Sequence, residues 1–176
     1  IQLIKIYNNG IIAKSRNLGI LRAKGGLIAF LDSDDYWDEN KLELSIRYFN
    51  IQKADLTFHK MHIKSPKKNL LTSSKTVCRQ LKKPVYDDLL INGNVICNSS
   101  VVVKKRLLFD IGLISQDEKK LYWEDYDTWL RISNLTNHFV YIPRTLGSVT
   151  RHESNMTDDS KILKNINDIC SIYKLN

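Results

Sequence analysis

The chain has 176 residues, enough for one domain with a sizeable core. With 43% hydrophobic and 26% charged residues it is not a disordered polymer. The formal net charge of +8 is carried by 27 basic against 19 acidic residues, the basic ones scattered with small clusters at Lys67-Lys68, Lys82-Lys83, Lys104-Lys105-Arg106 and Lys119-Lys120. That dispersion suits a solvated surface and argues against a nucleic-acid binder, which needs a clustered positive face with aromatic platforms.

Cys78, Cys97 and Cys170 stand at wide spacings with no Cys-x-x-Cys pair. An odd count without a framework fits a reducing compartment and speaks against zinc. No apolar run approaches the ~18 residues of a membrane span, and no signal-peptide pattern opens the chain. These features predict a cytoplasmic, soluble protein. The first residue is Ile rather than Met, as in a piece of a longer chain.

In chain order, Ile1 to Tyr7 suits a short strand, and Asn8-Asn9-Gly10 a turn. Ile11 to Lys24 reads as a helix with Ile12, Ala13, Leu18 and Leu21 as its apolar groups, ended by Gly25-Gly26 as a left-handed cap. Leu27 to Leu31 reads as a buried strand. Strand, helix and strand in succession predict a parallel α/β unit, with ligands at the strands' C-terminal ends. Asp38 to Gln52 reads as a helix with Leu42, Ile46 and Phe49 on one face. Ala54 to Ile63 alternates like a strand or a strand pair, and Lys67 to Lys83 is a weakly patterned surface segment. Tyr86 to Ile91 is a short helix closed by Asn92-Gly93-Asn94. Asn98 to Val103 reads as a strand and Lys104 to Ile111 as a helix stopped at Gly112. Glu124 to Asn134 is a helix, and His138 to Ile142 a strand ended by Pro143. A loop follows from Arg144 to Thr157. The last helix, Asp158 to Leu175, puts Ile162, Ile166, Ile169 and Tyr173 on one face. No repeat or linker divides the chain, so residues 1–176 are read as one domain.

Two places carry chemistry. Asp32, Asp34 and Asp35 follow directly on the apolar run, and three like charges so close raise one another's pKa. A positive group belongs there, a hard divalent cation being the simplest candidate. Asp32 and Asp34, two apart in an extended segment, project to one side and could hold Mg²⁺ or Mn²⁺ with sites open for a diphosphate. The bland alternative is an Asx-type turn with Asp38 capping the next helix. The second place is Tyr122-Trp123-Glu124-Asp125-Tyr126-Asp127 at a helix start. One of its carboxylates could be a general base between aromatic walls, or all three could merely complement the helix dipole. Arg16 offers a fork for phosphate, with Asn17 buttressing the turn. His152 follows Arg151 in a polar loop, where a histidine is either an ordinary surface residue or a ligand. His59, His62 and His138 read as structural.

These elements occur in an order that resembles the larger, C-terminal part of a family-2 glycosyltransferase of the GT-A fold. The resemblance rests on Ala13, Arg16, Asn17, Gly19, Ile20, Ala23, Gly25, Phe30, Leu31, Asp32, Asp34, Asp35 and Trp37, on Asn98 to Gly112, on Trp123 to Asp127 followed by Trp129-Leu130-Arg131, and on Arg151 to Asn155. It covers roughly Ile4 to Thr157, and the joint order is more specific than any one motif. It implies an α/β, GT-A-like (Rossmann-related) mixed sheet flanked by helices, N-terminally truncated, with Ile1 to Tyr7 as the third strand. It implies a nucleotide-sugar donor, most naturally a UDP-sugar, and a glycan or lipid-linked glycan acceptor. Arg16, Asn17, Asp32 and Asp34 would bind the donor. Asp34 would ligate Mn²⁺ or Mg²⁺ in a DxD motif, with His152 as a further ligand. Asp125 would be the catalytic base, with Glu124, Trp123 and Trp37 at the acceptor. A single inverting displacement in bacterial surface-polysaccharide synthesis is the expected reaction, and a catalytically inactive binding or scaffolding module is the alternative. The terminal helix, with Lys161, Lys164 and Lys174, allows peripheral contact with an anionic membrane.

Overall fold

A computed structural model describes residues 2–64, 74–150 and 159–173. Six helices and six strands alternate: α1 (Ile12–Arg22), β1 (Leu27–Ala29), β2 (Tyr36–Trp37), α2 (Lys41–Ile51), β3 (Leu56–Lys64), β4 (Ser74–Lys75), α3 (Val85–Asn92), β5 (Val102–Lys104), α4 (Lys105–Asp110), α5 (Glu124–Ser133), β6 (Phe139–Thr150) and α6 (Asp159–Tyr173). One mixed sheet runs β1-β5-β3-β6-β2, with β4 added beside β3. Among the described residues β3 and β6 pair in parallel and every other pair is antiparallel.

β3 explains how the layers divide. Leu56 and Phe58 face one way into the main core, with Ile20, Val103, Leu108, Trp129 and Ile132. Thr57 faces the other way, between Val102 of β5 and Val140 of β6, where Phe49 of α2 packs. α2 therefore covers the second face of the sheet. Its buried residues are Lys41, Ser45 and Phe49, whereas Leu42 and Ile46 lie at the surface. The predicted face is thus rotated: Phe49 is right, but a lysine and a serine occupy the positions given to leucine and isoleucine.

Several further expectations change. Residues 2–7 form no strand, and Leu3 and Tyr7 are exposed. A strand needs a partner, and among the described residues β1 pairs only with β5. The parallel unit predicted there is accordingly absent. β1 is shorter than predicted and alternates in burial, as an edge strand should, with Ile28 and Phe30 in and Ala29 and Leu31 out. Gly25 and Gly26 are not left-handed; α1 ends at Ala23 in an extended conformation. Gly112, at φ +74°, does terminate α4 as predicted. Asn98–Ser100 is a 3₁₀ turn rather than part of a strand.

Pro143 does not end its strand. The β3–β6 register jumps from His59↔Ile142 to Lys60↔Thr145, so Pro143 and Arg144 sit in a bulge, where a missing N–H costs nothing, and pairing resumes to Thr150. This extension holds β2, whose Trp37 lies opposite Gly147. A Cβ at Gly147 would stand 2.3 Å from the Tyr36 carbonyl oxygen, so the two strands meet only because that side chain is absent. In α6 the inward positions are Asn165, Ile169 and Tyr173, while Ile166 is exposed; the side chain of Ile162 is outside the described residues. Among the described residues no helix is long and apolar enough to cross a membrane.

Candidate active site

Phe30 anchors the end of β1 by packing edge-on to Trp129. The chain then folds back, with the Asp35 amide donating to the Asp32 carbonyl at 3.1 Å. The acidic residues therefore occupy a tight turn, not an extended segment, and the alternation argument for Asp32 and Asp34 fails. Instead the three carboxylates diverge. Asp32 accepts from Arg16 Nη2 at 2.7 Å and Asn98 Nδ2 at 3.0 Å. Asp35 accepts from the Thr150 amide at 3.3 Å and bonds Ser99; burial first, then the neighbouring Asp32 and Asp34 charges, push its pKa up against those bonds. Asp34 remains exposed, and its carbonyl accepts from Thr150 Oγ1 at 2.6 Å.

The positive group demanded by this cluster is Arg16. From α1 its guanidinium reaches Asp32 with one nitrogen and Glu124 with another, at 2.7 and 2.6 Å. Its side chain is 14% exposed. Burial works against the charge, yet Asp32 and Glu124 outweigh it and raise the arginine pKa further. Arg16 thus joins the two acidic motifs, which lie 92 positions apart when counted from Asp32 to Glu124. Asn17, one residue on, is buried; its amide donates to the Ile114 carbonyl at 2.8 Å and accepts from the Ile114 amide at 3.0 Å. It buttresses the site from within the core.

The start of α5 separates its three carboxylates. Glu124 is buried against Arg16. Asp125 accepts from the Tyr126 amide at 2.7 Å. Burial and then the Glu124 charge push its pKa up to about 7, with Arg16 and the amide opposing. Asp127 turns into the core, where it meets Lys120, Arg131 at 2.7 Å and Tyr173 at 2.8 Å. Trp123 is buried in the core, its Nε1 donating to the Lys119 carbonyl at 3.2 Å. Trp37 is half-buried and donates to the Ser99 carbonyl at 2.6 Å. His152 lies outside the described residues.

Cys97 registers the convergence: burial first, then the charges of Asp35, Asp125 and Asp32 together, push its thiol up to about 12. Asn98, Ser99 and Thr150 are the site residues that sequence reasoning missed. The signal was a polar triplet, Asn98-Ser99-Ser100, inside the apolar run from Val95 to Val103. Among the described residues no three metal-ligating side chains cluster. Asp34 offers one exposed carboxylate, a donor set that suits an ion arriving with its own phosphate and water ligands, as Mg²⁺ does with one or two protein carboxylates. Two surface clefts, of about 340 and 310 Å³, are lined by none of these residues.

A curled mixed sheet with carboxylates gathered at one end is the GT-A architecture. It is shared with S. aureus TarS 1-349 solved in complex with UDP (TM-score 0.64, 14% identity, covering 96% of this chain and 46% of that one) and with UDP-GlcNAc (0.63, 16%, 90% and 46%). The chain belongs to glycosyltransferase family 2: the model described as "Glycosyltransferase like family 2" matches residues 5–169. It is 30% identical over 120 residues to the Escherichia coli UDP-Glc:alpha-D-GlcNAc-diphosphoundecaprenol beta-1,3-glucosyltransferase WfaP, covering 68% of this chain and 43% of that protein. It is 28% identical over 156 residues to the amylovoran biosynthesis glycosyltransferase AmsB of Erwinia amylovora, covering 84% and 50%. The chain spans about half the length of the curated relatives it matches.

Proposed function

We propose that this chain transfers a sugar from a UDP-sugar to a hydroxyl of a lipid-linked glycan, with inversion, in bacterial surface-polysaccharide synthesis at the cytoplasmic face of the membrane. The observation that carries the reading is the Arg16 bridge, which brings the Asp32 turn and the Glu124-Asp125 helix start to one place. The relatives' printed names supply the donor and acceptor classes, a UDP-sugar and a diphosphoundecaprenol-linked sugar in WfaP.

In the proposed reaction Asp125 is the base. A carboxylate with a pKa near 7 is about half ionised at neutral pH and is a far better proton acceptor than an ordinary aspartate. The acceptor hydroxyl gives its proton to Asp125, its oxygen bonds to the anomeric carbon, and the bond from that carbon to the diphosphate breaks, releasing UDP. With Asp125 acting as base and none of the other carboxylates as nucleophile, the reaction is a single displacement with inverted configuration. Glu124 and Trp37 are assigned to the acceptor side, with Glu124 held in place by Arg16 and the buried Trp123 supporting them from the core. Asp32 and Arg16 are assigned to the donor's sugar and phosphate side, and Asn17 supports them from the core. Asp34, with His152, would hold Mn²⁺ or Mg²⁺, which would supply countercharge to the leaving diphosphate.

The test is calorimetry with UDP, with and without Mn²⁺, followed by transfer from labelled UDP-sugars to a diphosphoundecaprenol-linked acceptor. Metal-dependent UDP binding with turnover is expected. A protein that binds no UDP under either condition would instead be the inactive binding or scaffolding module.

A further inference from the structure

The interior face of α2 holds a cation that the proposed reaction does not use. Lys41 is completely buried, and its Nζ has no hydrogen-bond partner among the described residues. It lies over the Trp37 ring, 3.9 Å from the ring centre. Trp37 in turn donates to the Ser99 carbonyl at 2.6 Å, and the Ser99 hydroxyl accepts from the Asp32 amide at 3.0 Å and bonds Asp35. We propose that Lys41 is a positioning residue: its buried ammonium holds the Trp37 ring, and through Trp37 and Ser99 it fixes the acidic turn that carries Asp32 to Asp35. This rests on the assignment of that turn to the donor site.

The physical argument is one of alternatives. A leucine or methionine would fill the space under Trp37 at no electrostatic cost, whereas a buried lysine loses hydration and regains it here only through the aromatic face. A desolvated ammonium over an indole is the strong form of that contact. The surroundings offer little else. His59 of β3 is near enough for the Lys41 charge to act on it, and among the described residues its Nε2 has no partner, nor do Thr57 Oγ1 on β3 and Ser45 Oγ on α2 itself. His59 is held neutral, its pKa lowered to about 4 first by burial and also by the Lys41 charge. From β3, Lys64 lies over Tyr36, 5.2 Å from its ring centre. From β6, Arg144 lines a surface cleft together with Leu44 and Tyr48 of α2. Asp38 and Glu39, just before the helix, are exposed. None of these supplies a buried counter-charge. Burial lowers the Lys41 pKa to about 7, so the clamp is charged below neutrality and discharged above it.

The test uses the full, ¹⁵N-labelled protein, with the Trp37 indole N–H signal assigned through Trp37→Phe. In the unmodified protein that signal should shift between pH 5.5 and 9 with a midpoint near 7. In Lys41→Met the shift should vanish and the Asp32 amide, which bonds Ser99, should exchange with solvent at least tenfold faster. Lys41→Arg, which stays charged, should keep the low-pH signal position throughout and restore Asp32 protection. A Trp37 signal that does not titrate in the unmodified protein, or titrates unchanged in Lys41→Met, overturns the clamp. An Asp32 amide equally protected in Lys41→Met overturns its reach into the acidic turn. If Lys41→Met fails to fold, the unmodified and Lys41→Arg titrations still decide. None of these signals depends on sugar transfer, so they stand or fall apart from the proposed reaction.

Discussion

Helix α5 carries two charged centres a single turn apart, and they are built in opposite ways. At Asp127 one buried carboxylate meets two cations, Lys120 and Arg131, and a phenol, Tyr173. Arg131 also donates through Nη1 to the Ile111 and Leu113 carbonyls, at 2.6 and 2.9 Å, while its Nη2 has no partner among the described residues. At the helix start the ratio is reversed, with Arg16 alone among Asp32, Glu124 and Asp125. In the first centre the carboxylate is saturated, and it ties α5 to the loop before it and to α6. The second has more negative charge than its one cation offsets, and burial first, then the Glu124 charge, make Asp125 hard to ionise. A proton-accepting group is what burial beside such an imbalance produces.

The sharpest way to break this contrast is to neutralise the two aspartates separately. Asp125→Asn should lower turnover by about 10²- to 10⁴-fold, the usual worth of a general base, while leaving UDP affinity within about twofold. Labelled-sugar transfer and calorimetry read the two quantities, and a parallel fall in both would remove Asp125 from the base role. Asp127→Ala should instead cost about 3–5 kcal/mol of stability in urea unfolding, because it strands Lys120 and Arg131 without their anion. A loss below about 1 kcal/mol would show that the saturated centre is not structural. Next in size, Asn17→Ala should cost about 1–3 kcal/mol by leaving both backbone groups of Ile114 unpaired in the core.

The smallest effect is a pH dependence that tells the centres apart. Folding raises the Asp125 pKa from the ordinary carboxylate range to about 7, so the folded state holds a proton that the unfolded state has released. The stability linked to that proton is present below the unfolded pKa and is lost as pH rises from about 4 through 7. Asp125→Asn should therefore melt higher than the unmodified protein at pH 8 and about equally at pH 4. Turnover in the unmodified protein should run the other way, rising as pH climbs through 7. Identical melting differences at both pH values would place the excess charge elsewhere.

Much of this was legible before any coordinates. The helices at Lys41, Val85, Lys105, Glu124 and Asp159 and the strand at Leu56 follow from periodicity and stops, and both acidic motifs were marked. What sequence reasoning could not see was pairing. Whether Ile1 to Tyr7 forms a strand depends on a neighbour, not on its β-branched residues. Pro143 reads as a terminator unless the partner strand's register opens a bulge for it. The rotated face of α2 shows that apolar residues can be left outside when a buried lysine has an aromatic ring to rest on. Arg16 and Glu124 are 108 residues apart in the chain, and nothing local to either motif announces their ion pair. The family order carried the expectation that the motifs share a site, and the bridge supplies its physical form.

Gly147 bears on how such a protein can fail. It carries no charge and no side chain, yet its bare backbone is what lets β6 latch the segment that follows the acidic turn. Any bulkier amino acid there would pry that segment loose while leaving all the carboxylates and Arg16 chemically intact. Inactive variants with every recognised motif in place should therefore be sought first at this position.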